Sequence, residues 1–544
     1  MYDLIITGGE ICDGTGRPRF RADLGVQGDR IVNVGEIPPA EHGTATVIDA
    51  SGRLVTPGFI DVHNHSDHTI VLYPRAESMV MQGVTTVING NCGSSAAPVR
   101  STAGHNTSEE STIRDRLSPD KSEFPWTDLD GYFRHVESRG SGVNMASFVG
   151  HGTVRQYVMG PDNRPPGEED MRMMQRLVLD AVGQGAIGMT TGLIFVPGCY
   201  AETGEIIQLA QTMRGIDNVL YASHTRSLNE RIIEGNEEAA AVGEAAGIPV
   251  VLSHMCPAPP LWGAAGPVLR GIEAIRARGI DVTLDMFPYT YGANALFNMV
   301  PSWAREQGAA GLVQSLKDPS FRSRVKEDTL RYGAATGGSA KRGLIREGKW
   351  DLIWISGATR TPEYNGMSIA EIAELRGQDP YDAMLDLTIE EGPDTGIMGG
   401  DRTEEDLREI LAHPLTMIGS DGRADAPGGI PDLPVHPRAY GCFPRVLSRY
   451  VREQRLMSVE EAIRKMTLLP AQTMRIRDRG LLCKGQFADV VVFDPVTIAD
   501  HAGIKNPKEY PSGISHVVVN GVPVIAGGRH TGALPGKVLR RESH

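Results

Sequence analysis

The sequence predicts an α/β protein: a distorted (β/α)8 TIM-like barrel carrying a small β-sandwich domain formed by both chain termini. Three observations predict it. Short strands separated by turn residues occupy both ends of the chain. Apolar runs alternate with helical segments in the middle. Residues of metal-ligating type stand just after one apolar run after another.

At the N-terminus, Asp3–Thr7, Ala22–Val26, Arg30–Val34 and Thr46–Asp49 read as strands between Gly, Asp and Pro turn signals. Asp489–Phe493, His516–Asn520 and Val522–Ile525 read the same way at the other end. Neither group buries much alone, so together they are expected to form one small sandwich from 1–57 and 476–544.

Between them lie nine apolar runs: Leu54–Ile60, Val84–Ile88, Met145–Val149, Ala186–Thr190, Val219–Ala222, Pro249–Leu252, Asp281–Asp285, Leu352–Ile355 and Leu415–Ile418. Helical patterns such as Glu168–Gly183, Glu237–Ala246 and Val268–Arg278 separate them. Continuous apolar strands alternating with helices imply a parallel sheet covered on both faces. Eight such units close a barrel. The surplus run is assigned to Leu352–Ile355, inside an insertion at about 295–365 of a barrel domain spanning 58–475.

The 544 residues carry a formal net charge of −13, which disfavours nucleic acid and anionic membrane surfaces as partners. The start, MYDLIITGGEICDG, lacks a basic segment followed by a long apolar run, so no signal peptide is expected. No apolar stretch is long enough for a transmembrane helix. Six scattered cysteines fit reduced thiols in a cytoplasm better than a disulfide framework.

A barrel of this kind builds its active site at the C-terminal ends of its strands. After Leu54–Ile60 comes Asp61-Val-His63-Asn-His65; after Val84–Ile88, Asn89-Gly-Asn-Cys92-Gly93. His224 follows Val219–Ala222, His254 follows Pro249–Leu252, and Asp421 follows Leu415–Ile418. In extended backbone residues i and i+2 share a side, so His63 and His65 can grip one ion. Imidazole, thiolate and carboxylate are zinc ligands. Six ligands exceed the needs of one tetrahedral ion, so one or two Zn2+ ions are expected. Zinc lowers the pKa of bound water to about 7. Asp421 can then act as general base and return the proton to a leaving nitrogen as hydroxide attacks a carbonyl.

The motifs VTPGFIDVHNH, GVTTVINGNCG, GLIFVPGCYAETGEI, SHTRS, DMFPY, IGSDG, HPRAYGCFPRVL and KGQFADVVVFDP resemble, in order and nearly end to end, the N-acyl-D-amino-acid deacylases of the amidohydrolase superfamily. The resemblance implies that Cys92 bridges the metal positions where other amidohydrolases use a carboxylated lysine. It implies His63 and His65 at one metal position, His224 and His254 at the other, and Asp421 as ligand and acid/base.

The departures bear on specificity. The family usually holds the substrate's carboxylate with a lysine where this chain has Cys256, a tyrosine where it has Phe195 and a serine where it has Ala293. Tyr289 and Arg438 are retained in matching motifs. Each lost charge-assisted bond is worth about 1.5–3 kcal/mol. The expected substrate is therefore a small-molecule amide whose carboxylate is missing, displaced or masked, in a more apolar pocket lined by Phe195, Cys256, Tyr289 and Arg438. His151, Asp67 and His68 are weaker candidates for lining or supporting the site. Two rival readings stay open at this point, a cyclic-amide hydrolase of the hydantoinase or dihydroorotase kind and an inactive barrel scaffold. A homo-oligomer also stays open.

Overall fold

The computed structural model describes residues 1–100, 125–333, 339–429 and 435–541. Positions 334–338 of the expected insertion and 542–544 of the expected terminal domain lie outside these. Eight parallel strands form the barrel: β1 (Phe59–Asp61), β2 (Val84–Asn89), β3 (Asn144–Ser147, continued by Val149–Gly150), β4 (Gly188–Gly192), β5 (Leu220–His224), β6 (Val250–Leu252), β7 (Val282–Met286) and β8 (Thr416–Ile418). Neighbours pair in sequence order, and β3 bends at Phe148 so that its two halves pair β2 and β4 separately. The ring closes just beyond the strands. Asn64 bridges Gly422 in parallel, the His65 amide donates to the Gly422 carbonyl at 2.7 Å, and the Asp421 amide donates to that of His63 at 2.7 Å.

Alternate side chains of these strands face opposite cores. Ile88, Ala146, Leu220, Ala222, Val251 and Met417 fill the barrel interior, while Val87, Met145, Tyr221, Val250 and Leu252 pack outward with the helices. Burial on both faces is why the runs read as unbroken apolar stretches.

The terminal strands form two sheets. One joins Leu4–Thr7, Asp23–Gln27, Arg30–Gly35 and Thr46–Asp49. In the other, Val490–Phe493 pairs antiparallel with Leu54–Pro57, joining C-terminal to N-terminal strands. Val490 and Val492 point into the small core with Leu24 and Val55, whereas Val491 and Phe493 pack on the barrel side. That two-sided burial explains the unbroken run Val-Val-Val-Phe.

The surplus run, Ile353–Ile355, lies outside the barrel. It forms an antiparallel sheet with Gly292–Ala295 and Gly396–Gly399. This inserted lobe has its own core of Leu296, Leu312, Val325, Ile353, Ile372 and Ile397. It spans more chain than the apolar runs mark out. Among the described residues no helix is long and apolar enough to cross a membrane.

Candidate active site

A cleft of about 720 Å³ opens at the C-terminal ends of the barrel strands, and its lining includes His65, Cys92, His224, His254 and Asp421. His63 lies fully buried behind it. The turn after β2 brings Cys92 Sγ to 3.2 Å from His63 Nε2 and 3.6 Å from both His224 Nδ1 and His254 Nε2. On the other side of His63, Asp421 Oδ1 lies 3.1 Å from His65 Nε2 and 3.7 Å from His63 Nε2. Two ligand groups result, His63–Cys92–His254 and His63–His65–Asp421, joined at His63.

Backbone conformation aims three of these side chains. Cys92 (φ 51°), His254 (φ 35°) and Asp421 (φ 49°) all occupy the left-handed region. Non-glycine residues enter it at a cost and concentrate there at functional sites. The Cys92 turn also needs bare backbone beside it: a Cβ on Gly192, at the end of β4, would stand 2.0 Å from the Cys92 carbonyl oxygen.

The electrostatics suit a cation. Burial alone would push the Cys92 thiol up, but His63, His224 and His254 hold it well below the usual thiol range. Burial likewise opposes ionisation of Asp421, yet Arg438 and His65 keep it well below the usual carboxylate range. Against burial, Asp421 and Cys92 lift His65 to about 10. Burial and neighbouring His254 press His224 down to about 4. A bound metal ion displaces the protons that such anions hold on imidazoles. His254 Nδ1 is buried and has no partner among the described residues. A thiolate ringed by three imidazole nitrogens, with a carboxylate beside the next imidazole, fits a zinc-type donor set.

Sequence reasoning missed Asp285. Its Oδ2 lies 3.2 Å from His63 Nδ1 and its Oδ1 accepts the His254 amide at 2.8 Å. A carboxylate behind a ligating imidazole fixes its orientation and basicity. Asp285 closes its apolar run instead of standing after it, so a search of the positions just past each run overlooks it. Replacing Asp285 by Asn is expected to weaken zinc affinity about 10- to 100-fold, checked by titration against a chelating competitor. Asp61 is a second such residue, accepting from the Ser420 amide at 2.7 Å and hydroxyl at 2.5 Å and so tying β1 to the loop after β8.

Of the expected substrate-binding residues, Phe195 and Arg438 line the cleft, as does Ala293. The Phe195 ring centroid lies 5.0 Å from that of His224, and Arg438 Nη1 lies 2.7 Å from Asp421 Oδ2. Tyr289 and Cys256 do not belong to the lining. Tyr289 stands behind His436, with ring centroids 5.4 Å apart, and under the Arg445 guanidinium. Cys256 is wholly buried, and burial raises its thiol pKa. His151 is also buried, 2.9 Å from Glu205, while Asp67 and His68 reach the cleft. Lys341 of the inserted lobe and Arg402 just after it also line the cleft, and neither had a sequence signal.

A parallel barrel with His, Cys and Asp converging at its strand ends defines the class of metal-dependent barrel hydrolases. The amidohydrolase family model matches residues 46–205 and 355–525. An N-acyl-D-glutamate deacylase of Alcaligenes xylosoxydans xylosoxydans is 35% identical over 544 residues, covering 99% of this chain and 97% of the relative. A D-aminoacylase structure, described for its binuclear metal centre, superposes with a TM-score of 0.81 at 34% identity, covering 99% of this chain and all of that one. The N-acyl-D-glutamate deacylase of Bordetella bronchiseptica, complexed with zinc and a phosphonate mimic of the tetrahedral intermediate, gives 0.78 at 34% identity over 99% of both chains. The chain belongs to the amidohydrolase family, in its N-acyl-D-amino-acid deacylase branch, and is a hydrolase of C–N bonds other than peptide bonds.

Proposed function

We propose that the protein hydrolyses the amide bond of a linear, small-molecule N-acyl amine, using one or two zinc ions held by His63, His65, Cys92, His224, His254 and Asp421. The observation that carries this reading is the placement of Cys92 Sγ within 3.6 Å of three imidazoles, beside a second group ending on Asp421. Relatives with a binuclear centre or bound zinc support the choice of metal. Zinc, when bound, supplies Lewis-acid activation of water and of the scissile carbonyl.

The chain's own residues handle the proton. Arg438 engages Asp421 Oδ2 at 2.7 Å and leaves Oδ1 facing the metal-ligand side. Oδ1 takes the proton from water and returns it to the departing nitrogen. Phe195 supplies an apolar wall beside His224. With Tyr289 and Cys256 behind the cleft surface, the substrate's carboxylate is handled by other groups.

The test begins with metal analysis of protein purified without added zinc. Chelation followed by zinc restoration is then assayed on N-acetyl-D-amino acids, their neutral amides, and hydantoins. Activity on linear N-acyl substrates that is lost on chelation and restored by zinc is expected. Turnover of hydantoins alone, or none of any substrate with zinc bound, would overturn the reading.

A further inference from the structure

The cleft holds a cluster of three buried cations, of which the catalytic reading uses only Arg438. Lys341, Arg402 and Arg438 line it and are 4%, 8% and 7% exposed. The guanidinium carbons of Arg402 and Arg438 each lie 4.7 Å from the ring centroid of Phe287. Lys341 and Arg402 converge over Gly292, where a Cβ would stand 3.4 Å from Lys341 Nζ and 2.9 Å from Arg402 Nη1.

Among the described residues, two carboxylates pair with these three cations. Asp401 is shared, at 3.2 Å from Lys341 Nζ and 2.7 Å from Arg402 Nη1. Asp421 pairs with Arg438 but is also held by His65. The Nε atoms of Arg402 and Arg438 are buried with no partner among the described residues. Burying a cation without full pairing is costly, so the arrangement calls for another anion. Planar guanidiniums with spare N–H donors suit a carboxylate. Burial, with repulsion from Arg402 and Arg438, lowers the Lys341 pKa despite Asp401, as expected of crowded positive charge.

We propose that Lys341, Arg402 and Arg438 seat a carboxylate of the amide substrate, with Lys341 and Arg402 as its specificity-determining residues. Arg438 touches both this seat and Asp421, so a carboxylate held here lies one side chain from the group that moves the proton. The seat rests on the reading of the protein as an N-acyl amide hydrolase. It makes the carboxylate displaced rather than absent, with its countercharge coming from the inserted lobe and the chain leaving it.

The experiment uses zinc-loaded enzyme and three probes: N-acetyl-D-methionine with its carboxylate on the amine half, N-succinyl-D-methioninamide with it on the acyl half, and neutral N-acetyl-D-methioninamide. Wild type is expected to prefer one of the charged probes. Arg402→Met and Lys341→Met should each raise KM for that probe about 10- to 100-fold more than for the neutral amide, with Arg402→Lys recovering part of the loss. The probe that responds identifies the half bearing the carboxylate. Preference for the neutral amide, or equal effects on all three probes, overturns the seat but not the hydrolase. If no probe is turned over, the hydrolase reading fails, and melting of the metal-stripped protein tests the seat alone. Stabilisation by either charged probe in wild type but not in Arg402→Met supports it, and no such difference overturns it.

Discussion

Replacing Asp421 by asparagine is expected to lower kcat by about 10³-fold, the range of a lost general acid/base, while leaving the fold intact. Asparagine has nearly the same shape and is among the few residues that tolerate the left-handed backbone found here, at φ 49°. The Asp421 amide still donates to the His63 carbonyl, so the closure between β1 and β8 survives. What disappears is charge and basicity at Oδ1, which faces His65 Nε2 at 3.1 Å. The Arg438 guanidinium loses its anionic partner as well. Steady-state kinetics at saturating zinc, with zinc content and melting temperature measured on the same sample, separate these effects. An asparagine variant that binds zinc and turns over within a fewfold of wild type would remove Asp421 from the chemistry.

The sequence made much of this arrangement legible because the barrel imposes one simple rule: side chains just past a parallel strand meet at one rim. His63, His65, Cys92, His224, His254 and Asp421 all obey it. The rule weakens where the backbone turns. His254 sits at φ 35°, which breaks the alternation that would bring Cys256 to the same side, and Cys256 ends wholly buried. Tyr289 belongs to a matching motif, but His436 stands between it and the cleft, a relation no local pattern encodes. Lys341 and Arg402 were illegible for a different reason. Lys341 comes from a lobe with its own core and Arg402 from the chain leaving it, outside the strand–helix alternation, and the return of Gly396–Gly399 alongside Gly292–Ala295 carries the chain back to the rim. Side chains placed by the barrel could thus be read from the chain, whereas cleft residues in and after the insertion depend on where it folds.

Cys92→Gly separates ligation from folding more cleanly than any other substitution at this site. Cys92 adopts φ 51°, a conformation that costs a non-glycine residue roughly 1–3 kcal/mol and glycine almost nothing. Relief of that strain offsets the greater flexibility of glycine in the unfolded chain, so the metal-free variant is expected to melt at or above the wild-type temperature. The ligand set loses its thiolate, the group at the centre of His63, His224 and His254. Taking about 3 kcal/mol per ligand from the range for structural zinc, affinity falls roughly a hundredfold. The stabilisation that zinc confers should shrink in step, because a ligand stabilises a fold only through its affinity for the native state. Calorimetric zinc titration and melting curves with and without zinc check both halves. A thiol that merely fills space would give the reverse pattern, lower metal-free stability with zinc affinity unchanged, and that result would remove Cys92 from the metal centre.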